Sequence, residues 1–158
     1  MSLPACLDQD RLDVILARYP LEEPSLIPVL QDVQREYRYL PCDVLARVAD
    51  SLHVPLARVF SVSTFYKAFA LAPQGRTVLR VCTGTACHIR GAGQILDALE
   101  QRLGIAPGET TPDLAFTLTT VNCVGACAMA PVVLVGERYH GHAVPGRVGR
   151  LLDGQGRP

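Results

Sequence analysis

The sequence predicts a two-part α+β chain, with an N-terminal helical bundle over residues 1–72 and an α/β unit over residues 73–158. Two observations carry this reading. Apolar residues recur at helical spacing up to about residue 72, punctuated by prolines. After "LAPQGR" the pattern changes to short β-branched runs, and two of those runs lead straight into a pair of cysteines.

Leu12, Ile15, Leu16 and Tyr19 sit at i, i+3, i+4 and i+7, so the first helix has one apolar face. In "PSLIPVLQDVQREYRYL" Ser25 is a candidate N-cap and Pro28 is tolerated in the first turn, with Leu26, Leu30, Val33 and Tyr37 lining one side. Pro41 and Asp43 open a third helix carrying Val44, Leu45, Val48 and Leu52. Pro55 opens a fourth, with Val59, Val62, Tyr66 and Phe69 on one stripe. Four amphipathic segments with short connections imply a small antiparallel bundle. The aromatic residues Phe65, Tyr66 and Phe69 are expected in its core, with a docking face as the other reading.

"TVLRV" is the first strand, and "AGQILDALEQRLG" is a helix with Ile95, Leu96, Leu99 and Leu103 inward and Gly104 as its stop. "PGETTPD" is a turn, and "AFTLTTV" and "PVVLVG" are strands. "ERYHG" reads as a turn or hairpin continuation, "PGRVGRLL" as a closing short helix, and the tail after Leu152 as frayed. Both cysteine loops follow strand ends, where open α/β sheets gather functional groups.

Composition narrows the function. Fifteen Lys plus Arg balance fifteen Asp plus Glu, which leaves no cationic cluster for a nucleic-acid backbone. No apolar run approaches the ~20 residues that span a bilayer, so no direct membrane insertion is expected. The first twenty residues lack the basic-then-apolar order of a signal peptide, which predicts a cytoplasmic chain. In a reducing compartment paired cysteines are metal ligands or redox groups more often than disulfides.

Cys82, Cys87, Cys123 and Cys127 are spaced C-x4-C-x35-C-x3-C. Four thiolates can hold an iron–sulfur cluster or zinc. The C-x2-C knuckle of structural zinc sites is absent, whereas two looser pairs on separate loops suit the two irons of a 2Fe-2S group. Gly84, Gly91, Gly93 and Gly125, with Thr83 and Thr85, allow close approach and let N–H and hydroxyl groups point at sulfur. Val81, Val124, Ala126, Ala128, Met129, Ala130, Pro131 and Val132 form an apolar shell, with Met129 as packing rather than ligand. These features favour the cluster. Structural zinc, thiol–disulfide chemistry and four unrelated core cysteines stay open as alternatives.

Cys6 and Cys42 fall outside the pattern and receive no role. His88 and Arg90 read as surface groups, with a hydrogen bond to the site and a cation beside a reduced cluster as their functional counterparts. His140 and His142 lack an acid or cysteine neighbour to complete a metal site. Without a serine–histidine–acid order, phosphate loop or dinucleotide fingerprint, no substrate-converting site of the chain's own is expected.

"LPCDVLARVADSLHVPLARVFSVSTFYKAF", "VCTGTACHIRGAGQILDALEQRLGI" and "GETTPDLAFTLTTVNCVGACAMAPVVLVGERYHG" resemble the NuoE-type subunit, the thioredoxin-like 2Fe-2S protein of NADH:quinone oxidoreductase and of related NAD-linked hydrogenases and formate dehydrogenases. The resemblance runs from about residue 8 to 150, and "CTGTACHIRGAG" looks closer to the soluble hydrogenase and diaphorase relatives. It implies a helical bundle joined to a thioredoxin-like 2Fe-2S ferredoxin domain, with Cys82 and Cys87 on one iron and Cys123 and Cys127 on the other. It implies a one-electron-transfer subunit of a multi-subunit NAD(H)-dependent oxidoreductase, either a soluble cytoplasmic NAD-linked hydrogenase or diaphorase-type enzyme or complex I at the cytoplasmic face of the membrane. The partners would be a flavin subunit holding FMN and NAD(H), clasped by the helical half, and further iron–sulfur and catalytic subunits. A zinc-stabilised adaptor is the competing function.

Overall fold

The computed structural model describes residues 9–153. The chain forms two compact units divided between Pro73 and Gln74. Among the described residues no helix is long and apolar enough to cross a membrane.

The first unit holds α1 (Gln9–Leu16), α2 (Leu26–Tyr37), α3 (Cys42–Ser51) and α4 (Leu56–Phe65). Its core draws Leu12 and Ile15 from α1, Leu30 and Val33 from α2, Leu45 and Val48 from α3, and Val59 from α4. Helix α1 packs on α2 and α3, and α4 on both α2 and α3. Pro41 and Pro55 stand in extended conformation just before α3 and α4, as a residue without a backbone N–H should.

Three local expectations give way here. Helix α1 stops before Tyr19, whose hydroxyl instead donates to Asp32 at 2.8 Å. Ser25 closes a 3-10 turn (Glu23–Ser25) and makes no side-chain cap, because its backbone is already helical at φ −77 and ψ −7, whereas an N-cap is extended. The aromatic stripe also breaks. Tyr66 is already extended at φ −88 and ψ 121, so α4 cannot carry the pattern to Phe69. Phe65 points away from the buried positions Val59 and Ser63 and is 78% exposed, and Tyr66 is 43% exposed. Only Phe69 packs against the core.

The second unit is a four-stranded sheet of β1 (Thr77–Cys82), β2 (Phe116–Val121), β3 (Val133–Val135) and β4 (Arg138–His140), in the order β2-β1-β3-β4. Strands β1 and β2 are parallel, and β1–β3 and β3–β4 are antiparallel. Between β1 and β2 run α5 (Thr85–Ile89) and α6 (Ala92–Leu103), and α7 (Val148–Asp153) closes the described chain behind a 3-10 turn (Pro145–Arg147). Helix α6 packs on β1 and β2, and α7 packs on α6. Ile95 and Leu99 of α6 meet Leu79, Val81 and Leu118 of the sheet in one buried cluster.

The first cysteine loop is shorter than its glycine content implies, because Thr85–Ile89 winds into α5. Gly91 and Gly104, at φ 91 and φ 68, supply the left-handed residues that bracket α6. The "GETTPD" turn is held by threonine: Thr111 Oγ1 donates to Asp113, and the hydroxyls of Thr110 and Thr117 lie 2.8 Å apart. The Thr111 hydroxyl and then the Ala115 N–H hold the Asp113 carboxyl below the usual carboxylate range.

Leu118 is fully buried in β2, so Leu118→Ala removes side-chain contacts the sheet cannot close over. The expected loss is about 2–5 kcal/mol. Chemical denaturation measures it, and a loss under about 1 kcal/mol would disprove this packing.

Candidate metal centre

The parallel register between β1 and β2 pairs Cys82 with Val121. Two parallel strands that end level with each other must release their following loops at the same sheet end. Cys82 is the last residue of β1, and Cys87 follows it on α5. Cys123 lies two residues beyond β2, and Cys127 opens a 3-10 turn, Cys127–Met129. All four expected ligands therefore lie beyond the same end of the sheet.

The loops are pressed together. A Cβ built on Gly84 would lie 2.6 Å from the Asn122 carbonyl oxygen and 3.3 Å from Cys123 Cβ. Gly84 has φ −57, which any residue tolerates, so here glycine is required by space rather than by conformation. Gly125 is the reverse case: it has open space but a φ of 78. That turn aims its N–H at Cys123 Sγ, 3.4 Å away.

The thiols reach one another. Cys82 feels the thiols of both Cys87 and Cys123, and Cys127 feels that of Cys123. For Cys82 the largest single effect is burial, which raises its pKa. The backbone N–H groups of Gly84 and Val124 and the neighbouring Cys87 and Cys123 thiols together outweigh burial and bring it below the ordinary thiol value. Cys87 is pushed up by burial and then by its bond to Cys82. Cys127 is raised by its bond to Cys123 and then by the charge on that sulfur.

The donors are backbone, not hydroxyl. Gly84 and Val124 serve Cys82, Val132 serves Cys87, and Gly125 serves Cys123. Val124 is the telling member, since it crosses from the second loop to a sulfur of the first. Thr83 Oγ1 donates to the Val121 carbonyl at 3.1 Å and Thr85 is exposed. The expectation that threonine hydroxyls face sulfur is corrected: Thr83 ties the ends of β1 and β2. Gly93 is also corrected, for it sits within α6 with nothing within 4 Å of its Cβ position.

Burial divides the four. Cys82 and Cys87 are 2% exposed, whereas Cys123 and Cys127 are exposed. The apolar shell follows the same split: Val81, Ala130 and Val132 are buried, while Ala128 and Met129 are exposed. Behind the second loop, His142 N–H donates to Met129 O at 2.8 Å and Ala143 N–H to Pro131 O at 3.1 Å. A Cβ at Gly141 would lie 2.7 Å from Met129 Cβ. "YHGHA" thus supports the loop through its backbone. His88 is exposed, Cys42 is exposed on the first unit, and Cys6 lies outside the described residues.

Among the described residues no three His, Cys, Asp or Glu side chains converge as they would around a single metal ion. A two-iron group makes a different demand. It takes two thiolates per iron, spread over two attachment points, with N–H donors toward sulfur and low surrounding polarity. Two paired thiols on two touching loops, four backbone donors and a partly apolar cradle fit that group.

The sequence profile described as "Thioredoxin-like [2Fe-2S] ferredoxin" matches residues 12–155. "NADP-reducing hydrogenase subunit HndA" of Solidesulfovibrio fructosivorans is 43% identical over 133 residues, 84% of this chain and 78% of that one. An E-type subunit of the NADH-quinone oxidoreductase of Rhizobium meliloti (strain 1021) is 43% identical over 145 residues, 92% of this chain and 86% of that one. The crystal structure of an NAD+-reducing [NiFe]-hydrogenase in the air-oxidized state aligns with a TM-score of 0.70 at 21% identity, over 84% of this chain and 23% of that chain. That likeness is one of fold.

The glycines separate two requirements. Gly84→Ala forces the loops apart and should yield chain with little or no bound iron. Gly125→Ala strains one residue by about 1 kcal/mol and should retain most of its iron. Gly93→Ala should keep all of it. Iron content of anaerobically purified protein distinguishes them, and a Gly84→Ala chain with full iron would refute the close contact.

Proposed function

We propose, for a chain that belongs to the thioredoxin-like [2Fe-2S] ferredoxin family, the role of one-electron carrier within a multi-subunit NAD(P)H-linked oxidoreductase. The observation that carries this reading is that two loops carrying four cysteines leave the same sheet end and touch at Gly84, with the Gly125 N–H turned toward Cys123 Sγ. Its relatives at 43% identity are subunits of an NADP-reducing hydrogenase and of an NADH-quinone oxidoreductase.

Cys82 and Cys87 hold one iron, and Cys123 and Cys127 the other. When bound, the [2Fe-2S] group accepts and returns one electron at a time, and hydride chemistry belongs to a flavin on another subunit. The chain supplies the environment. Gly84, Val124, Val132 and Gly125 direct N–H dipoles at sulfur, which stabilises the anionic centre and sets its potential. Val81, Ala130 and Val132 exclude water from the inner side. Reduced cytoplasm keeps the thiols available for assembly.

The partner is the subunit that holds FMN and binds NAD(H), within a complex that also holds further iron–sulfur and catalytic subunits. The helical unit docks on it. Phe65 and Tyr66 contact edge to face with ring centroids 5.0 Å apart, and Ile27 lies beside them. With Arg58 and Val62 they line a groove of about 340 Å³. Exposed aromatic and arginine side chains around an apolar groove have the composition of a protein interface.

Anaerobically purified chain should contain two irons and two sulfides per polypeptide, absorb in the visible and give an EPR signal when reduced. Cys123→Ser should abolish or greatly weaken that signal, and Cys6→Ser should leave it intact. Colourless protein with one zinc per chain would replace this reading with the structural adaptor.

Phe65→Asp should weaken association with the flavin subunit by about tenfold or more, the loss expected of an interface anchor. Its visible spectrum should be unchanged. Undiminished co-purification would remove the helical unit from the interface.

A further inference from the structure

Both cysteine-bearing stretches are free of acid. Residues 77–96 and 115–136 contain no Asp or Glu, and their Lys and Arg content is Arg80 and Arg90 alone. Arg80 is committed elsewhere, donating Nη1 to the Gly136 carbonyl at 2.9 Å in the β3–β4 turn. Arg90 stands at the C-cap of α5, three residues after Cys87. Its Nη1 donates to the Ala130 carbonyl at 3.2 Å.

The acceptor's position makes this bond informative. Ala130 caps the Cys127–Met129 turn, three residues after Cys127, and its own N–H returns to the Cys127 carbonyl at 3.2 Å. Arg90 N–H returns in the same way to Ala86 O at 3.3 Å. One side chain thus joins the cap of the Cys87 helix to the cap of the Cys127 turn. Ala130 is 1% exposed, so its carbonyl has little water to turn to if the guanidinium is removed. Among the described residues no carboxylate pairs with Arg90, and a carbonyl does not neutralise its charge.

We infer that Arg90 is a positioning residue for the [2Fe-2S] centre: from the exposed side of α5 it clamps the Cys127 turn to the Cys87 helix and keeps there a cation with no carboxylate partner among the described residues. The inference rests on the ligand assignment above. Two consequences follow from the chemistry. Reduction adds one negative charge to a four-thiolate centre, so a fixed nearby cation favours the reduced state. Holding the outer turn in place slows the separation of Cys127 from its partners. Lysine would keep the charge but replace the planar guanidinium that donates to the Ala130 carbonyl with a flexible ammonium of different reach.

The test uses full-length, anaerobically purified protein as wild type, Arg90→Gln and Arg90→Lys. It records midpoint potential by EPR-monitored titration, the rate of visible bleaching in excess chelator, and thermal unfolding of the metal-free chain. Arg90→Gln should shift the potential negative and bleach about tenfold faster, the low end for residues that orient metal ligands. Arg90→Lys should restore most of the potential yet still bleach fast. Metal-free melting should fall only slightly, by the loss of one hydrogen bond to a buried carbonyl.

Wild-type potential and bleaching rate in Arg90→Gln would overturn the inference. So would a fall in metal-free melting with the cluster properties unmoved, the mark of an ordinary stabilising contact. Wild-type chain lacking iron and sulfide would defeat the ligand assignment and this inference with it, an outcome the variants alone cannot produce.

Discussion

The parallel pairing of β1 with β2 is the constraint on which the rest depends. Had these strands been antiparallel, their C-terminal loops would leave from opposite sheet ends, separated by the length of a strand. In the observed register Cys82 stands opposite Val121, so the two cysteine loops start level and side by side. The parallel arrangement requires a crossover, which α5 and α6 supply, and α6 buries the face of the sheet that sets the register. Leu79, Val81 and Leu118 on the strands and Ile95 and Leu99 on the helix thus position sulfur atoms that none of them need touch.

Close approach then does the finer work. With Gly84 against the Asn122 carbonyl, the backbone of one loop serves the thiols of the other, and the Val124 N–H reaches Cys82. A backbone donor is better placed for this than a hydroxyl. It cannot rotate away, and its direction is fixed by the same turn that carries the cysteine. The Thr83 hydroxyl closes the strand ends instead.

The sequence made the secondary structure of both units legible because apolar spacing is a property of neighbours along the chain. The four cysteines were legible for a related reason: their pairing and small-residue loops have few other uses. What escaped depends on contacts across the fold. Thr85–Ile89 reads as loop because of its glycine and threonine surroundings, yet the segment coils once Gly84 O accepts His88 N–H. Phe65 and Tyr66 read as core because their spacing continues a buried stripe, and only the end of α4 at Phe65 exposes them. The glycines looked alike on paper. In the fold Gly84 answers a clash, Gly91 and Gly125 answer a dihedral, and Gly93 answers neither. Arg90 shows the same limit, since its acceptor lies forty residues away on a turn whose position no local pattern encodes.

The unequal burial of the four cysteines bears on how an electron would enter and leave. Under the proposed assignment the Cys82–Cys87 side lies against the core, with Val81 and Val132 behind it, and the Cys123–Cys127 side faces outward. Exchange with a second protein needs an approach that does not first unfold the cradle, and only the outer side offers one. The outer side is also the more weakly held, resting on a 3-10 turn rather than a strand. It is backed by Gly141–Ala143 and, through Ala130, by Arg90. A rigid inner anchor and an accessible outer edge are opposing demands on one small site. The chain meets them by assigning one cysteine pair to each, which explains why the second loop, poor in regular structure, carries so many backbone ties.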